Sequence, residues 1–450
     1  MTLVPAALKR RTRAETAIDA AFAAVRADLP GAGRSEAFAR FATDGLPHRR
    51  IEAYHFTDLH TLVTAAPEPA RRPSPEVARA TALAAGVDAF AAAGAARFVL
   101  VDGWFCPDLS DLAGLGDGVS VSSVGAGLLG GRQLAGRGLD GLGERLADGG
   151  AAADPLVALA CAFYTDGVVL RVAPGTRMAR PLEIRHLASG ASVSAHVRHL
   201  IVVGDGGAAE VLETHASPDG VEIHAHGLTE ATIGAGATLS LVDRQCEGDQ
   251  AMRFSTLAVA VADDAVLDHT VVTLGARLAR TQVFARLGAR TQLTSRGATL
   301  VRGRAHADAT LVVDHVGEDA VSRELYKSAV DDEARSVFQG RIRVDPVAQG
   351  TDGRMGAHAV LLSDRAEAMA KPELEIFADD VACAHGATVG ALDDALKFYL
   401  MSRGIPAAET EKLLIRAFLG EVTDAVASEP VRAVIEADVE AWIDGRERSA

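Results

Sequence analysis

The chain is poor in lysine and cysteine, and each shortage argues against a class of function. Of 45 basic residues only five are lysines (Lys9, Lys327, Lys371, Lys397 and Lys412), and none follows a glycine. A phosphate-binding loop needs a Gly-Lys pair so that the lysine reaches the phosphates, so the chain has no such ATPase motif of its own. The four cysteines, Cys106, Cys161, Cys246 and Cys383, lie far apart and form no Cys-x-x-Cys pair. That spacing fits neither a disulfide framework nor a zinc ribbon. Basic charge is also short. Forty-five basic residues stand against 60 acidic ones, for a net charge of −15 and a pI near 5.4, a poor match for nucleic-acid phosphates. No uncharged apolar run reaches the ~18 residues of a membrane span. The opening Met-Thr-Leu-Val-Pro stretch has no signal-peptide core, so the expected location is the cytoplasm, away from any membrane.

What is present is a long chain able to fold. Its 450 residues are 48% hydrophobic, enough for about three domains. Residues 7–70 read as helical, interrupted by Gly45-Leu-Pro-His48, and the Pro-rich stretch 67–75 reads as a linker. Residues 97–105 read as a strand and turn. From about 165 to 385 short β segments recur, among them 168–172, 199–203, 209–213, 238–242, 266–272, 310–314 and 337–344. Most alternate apolar and polar residues, so each buries one face. Two hundred residues of this texture exclude a doubly wound α/β fold and leave a sandwich, a barrel or a β-solenoid. Without a strict repeat, irregular coils are the better solenoid reading. Gly234-Ala-Gly-Ala-Thr-Leu239 and Gly297-Ala-Thr-Leu300 are expected at coil corners. The C-terminus is helical again. Its expected apolar stripes are Leu392, Leu396, Tyr399 and Leu400; then Leu413, Leu414, Ala417, Phe418 and Val422; then Val431, Ile435, Val439 and Trp442 or Ile443. The division is 1–90 (helical), 91–154 (mixed connection), 155–388 (β core) and 389–450 (helical).

Three chemistries can be weighed from motifs. Gly125-Ala-Gly-Leu-Leu-Gly130 has the Gly-x-Gly-x-x-Gly form, but no βαβ unit follows it, so a flexible turn is the better reading. Carboxylates for polysaccharide cleavage exist, as in any acidic protein, without a recognisable pair, and no Gly-x-Ser-x-Gly elbow occurs. His224-Ala-His226 and Cys383-Ala-His385 each place two ligand-type residues on one strand face. A thiolate with an imidazole suits iron or zinc, although two ligands do not complete a site. His224 and His226 are read as a solvated strand face, and Cys383 taken alone as a buried thiol.

The run Lys371-Pro-Glu-Leu-Glu-Ile-Phe-Ala-Asp-Asp-Val-Ala-Cys-Ala-His-Gly-Ala-Thr-Val-Gly390 closely resembles the signature of the SufB/SufD family of the SUF iron–sulfur cluster assembly system. Glu324-Leu-Tyr-Lys-Ser328, Val337-Phe-Gln-Gly-Arg341, Ala348-Gln-Gly-Thr-Asp352 and Val360-Leu-Leu-Ser363 resemble its preceding coils. Leu396-Lys-Phe-Tyr-Leu400 and Ser402-Arg-Gly-Ile405 resemble its C-terminal helices. Gly45-Leu-Pro with Glu52-Ala-Tyr-His-Phe-Thr-Asp58 is similar to its N-terminal segment, with Tyr54 where tryptophan is usual. Residues 60–150 are the weakest part of the match. Cys-Ala-His-Gly-Ala-Thr is the SufD pattern, where SufB has a Glu-His-Glu-Ala type of run.

The resemblance implies a mainly β fold: a right-handed parallel β-helix flanked by N-terminal and C-terminal α-helical domains. It implies a non-catalytic scaffold that pairs with SufB through the β-helices. It also implies that the separate ATPase SufC docks on the C-terminal helices, with Phe398, Leu414 and Phe418 as candidate contacts. A transient iron–sulfur cluster would form at the SufB interface, with His385 preferred over Cys383 as ligand. A reduced flavin in the complex, and a homodimer when SufB is absent, are left open. Alternatives are a SufB-like paralogue, a purely structural partner and, in a different class, a carbohydrate-active β-helix enzyme.

Overall fold

The computed structural model describes residues 11–29, 33–86, 88–125 and 151–447. Strands β1 (Ala96–Val101), β2 (Trp104–Phe105) and β3 (Val119–Ser123) lead into a long alternating series. It runs β4 (Val168–Val172), β5 (Leu182–Leu187), β6 (Ser194–Val203), β7 (Ala208–Ala216), β8 (His224–Ile233), β9 (Thr238–Cys246), β10 (Met252–Val261) and β11 (Val266–Thr273). It continues with β12 (Leu278–Leu287), β13 (Gln292–Val301), β14 (His306–His315), β15 (Val321–Val330), β16 (Arg335–Val344), β17 (Asp352–Leu361), β18 (Glu367–Ile376) and β19 (Ala382–Ala391). Even-numbered strands from β4 stack in one sheet and odd-numbered strands from β5 in the other. Within each stack every strand is parallel to the next, as in β8–β10–β12 and β15–β17–β19. This is a parallel β-solenoid, and the expected β segments all fall inside its strands.

The sequence shows no strict repeat for a physical reason. Strands β6, β8, β10, β12, β14, β16 and β18 begin at 194, 224, 252, 278, 306, 335 and 367, so coil length varies. The element that does repeat is backbone shape at one corner. Gly175, Gly206, Gly236, Asp264, Arg290, Asp319 and Gly350 all have φ between 53° and 75°. Each donates its N–H to a carbonyl of the next coil at 2.7–2.9 Å. Glycine and aspartate tolerate the left-handed region best, but the hydrogen bond is to backbone, so the side chain is free to vary. Gly234–Ala237 sits at this corner as expected. Gly297 does not: it lies inside β13, where a Cβ would meet the Tyr326 ring at 2.3 Å. It is small because the lumen holds Tyr326.

Alternation sends every second side chain into the lumen. Leu182, Ile184, Ile201, Val211, Leu239, Leu257, Leu267, Val283, Leu311 and Ile342 fill it. The outer faces are covered by helices. Helices α1 (Arg13–Val25), α2 (Arg34–Asp44), α3 (Leu59–Leu62), α4 (Pro75–Ala84) and α5 (Pro155–Phe163) lie at the N-terminal side of the series. Ile18, Phe22, Phe41, Leu156 and Phe163 pack with Met252, Phe254 and Leu278 of the even sheet. The segment around 52–58 plugs the same sheet. Arg280, fully buried, pairs with Asp308 and lies 4.0 Å from the Tyr54 ring. The Tyr54 hydroxyl donates to Asp154 at 2.8 Å. Residues 67–75 are no loose linker: the Ala70 N–H donates to the Ser194 carbonyl at 2.9 Å.

Helices α6 (Asp394–Ser402), α7 (Ala407–Thr423) and α8 (Glu429–Glu447) close the described chain. In α8 the expected stripe is buried throughout, Val431, Ile435, Val439, Trp442 and Ile443. It packs on Leu212, Val242, Val272 and Ala298 of the odd sheet. In α7 the buried positions are Thr410, Ile415, Leu419, Val422 and Thr423. The expected stripe is met only in part: Val422 is buried and Phe418 packs on the same cluster, whereas Leu413 and Leu414 are half-buried and Ala417 is exposed. The first expected stripe is only partly covered: Leu392, just before α6, and Leu400 are half-buried, while Leu396 and Tyr399 are exposed. Leu396, Phe398, Tyr399 and Met401 are 50%, 75%, 53% and 48% exposed. Among the described residues, no helix is long and apolar enough to cross a membrane.

Candidate functional site

Cys383 and His385 lie on β19, which among the described residues ends its sheet and pairs on one side only, with β17. Cys383 stands beside Gly353 and His385 beside Met355. Met355 and Ala357 are lumen residues, so by alternation Cys383 and His385 continue the lumen row at the open end of the solenoid. The i, i+2 spacing read from sequence thus does place both on one face. The two differ in environment. Cys383 is half-buried and packs against the lumen core, and burial raises its thiol pKa, which favours the protonated form. His385 is exposed and lines an open groove with Arg323, Glu324, Arg354, His358 and Glu421.

One strand further in, Glu324 lies in register with Met355, and Ser295 with Glu324. Glu324 is 3% exposed, and among the described residues neither carboxyl oxygen has a hydrogen-bond partner. Burial pushes its pKa up to about 8. A buried neutral carboxyl near a ligand-type pair was not legible as special in Glu324-Leu-Tyr-Lys, because nothing local announces its burial.

His224 and His226 are not on a solvated face. They are 3% and 7% exposed, because the N-terminal helices cover the even sheet there. The His226 ring stacks on His196 at 4.4 Å and on Phe254 at 4.8 Å, and His196 stacks on Phe163 of α5 at 4.9 Å. Burial lowers His224 to about 4 and His196 to about 3. These are neutral packing histidines. Of the Gly125–Gly130 motif, only Gly125 lies within the described residues; its N–H donates to Asp166 at 2.9 Å.

The three candidate partner contacts separate. Phe398 is a surface residue of α6. Leu414 is half-buried. Phe418 is tied to the solenoid, since Lys327 lies 4.6 Å from its ring and donates to its carbonyl. A further cluster, His186, Glu213 and His215, was missed altogether. Its one sequence signal was Glu213-Thr-His215, a carboxylate and an imidazole on one strand face.

Comparison with known proteins agrees with this architecture. The family description "SUF system FeS cluster assembly, SufBD core domain" matches residues 186–418, and "SufBD protein N-terminal region" matches 19–184. The chain is 29% identical over 411 residues to the iron–sulfur cluster assembly protein SufD of Escherichia coli, covering 90% of this chain and 91% of that one. It is 27% identical over 394 residues to a SufBD-family iron–sulfur cluster assembly protein of Synechocystis, covering 85% and 84%. It is 30% identical over 356 residues to one of Mycobacterium leprae, covering 75% and 88%. With the core match spanning the solenoid and its terminal row, the chain belongs to the SufB/SufD family of SUF-system iron–sulfur cluster assembly proteins.

Proposed function

We propose that the chain is a cytoplasmic, non-catalytic scaffold subunit of a SufB–SufC–SufD complex, occupying the SufD position. The observation that carries this reading is the open end of the solenoid. Strand β19 offers an unpaired edge next to Cys383 and His385. An uncovered edge strand invites pairing with another chain, and a SufB coil docked there would cover both residues. The His385 imidazole then supplies a nitrogen to iron. Cys383 becomes a ligand only if the interface strips its proton. One or two ligands from this chain cannot hold a cluster by themselves, since stable clusters usually have four thiolates, so the cluster is cargo completed by the partner's ligands and passed on.

The SufC ATPase would grip the C-terminal helices. The exposed apolar side chains of α6 support this, because Leu396 with Tyr399 on one side and Phe398 with Met401 on the other leave a short helix bare of cover that a partner would supply. ATP-driven movement of SufC would rearrange the SufB interface.

The test is co-expression with cognate SufB and SufC, then anaerobic reconstitution with iron and sulfide, with and without reduced flavin, followed by visible absorption. A stoichiometric complex that gains cluster absorbance, and loses it with His385→Ala while the subunits stay together, is the expected result. A His385→Ala complex that assembles clusters like wild type overturns the role of His385. A chain that ignores both partners overturns the scaffold reading.

A further inference from the structure

At the other end of the lumen the apolar filling gives way to ionisable groups. Along β5 the lumen positions are Leu182, Ile184 and His186, and along β7 they are Val211, Glu213 and His215. His186 and His215 are in direct register, and their rings stack at 4.2 Å. The Nε2 atoms of His186 and His215 lie 3.2 and 3.1 Å from the same atom, Glu213 Oε1. Neither makes a well-directed hydrogen bond, and both nitrogens are buried without a partner. Unpaired buried polar atoms are costly, and here two of them converge on one point.

The spacing is that of ligands around one ion. Ligand atoms at 2.0–2.1 Å from a tetrahedral metal stand about 3.3 Å apart. One ligand atom from each of the three residues falls within 4.8 Å of the others. Charge points the same way. Glu213, Asp243 and Glu247 are all buried here with one guanidinium, Arg253, which lies 2.8 Å from Asp243 and 3.6 Å from Glu247. The three carboxyl groups share that one guanidinium, and Asp243 Oδ1 also lies 3.5 Å from His215 Nε2. His199 completes the surround: its Nδ1 accepts from the Val168 N–H at 3.0 Å, so the proton of the neutral ring sits on Nε2, which faces Glu213 Oε1 at 3.8 Å. That Nε2–H makes no hydrogen bond among the described residues, and a protonated nitrogen has no lone pair for a metal, so His199 is not counted as a ligand. Beside the cluster is a cavity of about 40 Å³ bordered by Gly103, Ala195, Val197, Ala225 and Gly227, roomy enough for one or two waters.

We propose that His186, Glu213 and His215 form a mononuclear site for a divalent transition-metal ion of the zinc class, with the fourth position facing the cavity. Two imidazoles and one carboxylate are a donor set suited to such an ion. The site is distinct from His385: six strand steps separate β7 from β19, roughly 30 Å at about 4.8 Å per step. It does not rest on the scaffold reading.

The test uses the full chain, stripped with a chelator and dialysed against zinc chloride, with elemental analysis, thermal melting and X-ray absorption at the zinc edge. Expected are one retained zinc per chain, an upward shift in melting temperature, and a shell of nitrogen and oxygen only. His186→Ala and the near-isosteric Glu213→Gln should lose the bound zinc, while a Cys383→Ala/His385→Ala double variant keeps it. Wild-type protein that retains no zinc overturns the proposal. So does a sulfur scatterer in the wild-type spectrum, a reading that needs no variant to fold. Zinc kept by Glu213→Gln and lost by the double variant places the ion at the open end and also overturns it.

Discussion

Lys327 on β15 donates from Nζ to the carbonyl oxygen of Phe418 on α7 at 2.8 Å and pairs with Glu421 at 2.9 Å. One buried lysine therefore pins the C-terminal helical layer to the solenoid wall. Replacing it with methionine keeps the stem but removes the charge and the donor. The expected cost is about 1–3 kcal/mol, read by denaturant unfolding. Because Lys327 anchors the helix from inside, hydrogen exchange in α7 should rise more than in α5. Equal protection in both helices would contradict that.

Phe398 makes the opposite prediction. At 75% exposure it contributes little to the fold, so Phe398→Ser should leave the melting temperature within a degree or two. If α6 is where SufC docks, the same change should weaken SufC capture at least tenfold, the scale expected when a buried aromatic anchor is lost. Undiminished SufC binding would move the docking surface elsewhere.

Gly297→Ala tests the lumen filling. The added Cβ would sit 2.3 and 2.4 Å from two ring atoms of Tyr326, whose hydroxyl shares a 2.9 Å hydrogen bond with Ser295. The ring is buried and packs against Phe338 at 5.0 Å, so it can shift only by disturbing its neighbours. A loss of about 1–3 kcal/mol is expected from overpacking, and pairing with Tyr326→Phe should not recover it, since the clash is with the ring and not the hydroxyl.

Glu324 predicts a pH signature. Its folded pKa of about 8 stands above the ordinary value of 4.5, so the folded chain holds a proton that the unfolded chain has released. Its contribution to stability is full below pH 4.5 and is lost as pH rises to about 8, then stays level. Glu324→Gln removes that loss. The variant should match wild type near pH 4.5 and exceed it by on the order of 2–4 kcal/mol at pH 8. A difference that does not change with pH would show that Glu324 is ionised in the folded chain.

Much of this protein was determined by local sequence. Alternation along 238–241 and 341–344 marked strands with one buried face, which write a period of two, and the short apolar runs 168–170 and 311–313 marked strands covered on both faces. The periodic stripe of α8 marked a packed helix in the same way. Cys383 and His385 were found together because their i, i+2 spacing needs only a strand to bring them to one face.

Tertiary structure alone decided the rest. Whether a face is wet depends on what lies over it: His224 and His226 are dry because α5 and its neighbours cover the even sheet, and Leu396 and Phe398 are wet because nothing described covers α6. Coil stacking decided that Glu324 stands behind Met355, though 31 residues separate them. It also brought His186 of β5 against Glu213 and His215 of β7. In a solenoid, residues a full coil apart become neighbours across one strand spacing. Coil length varies here, so no fixed period in the chain could have shown which ones meet.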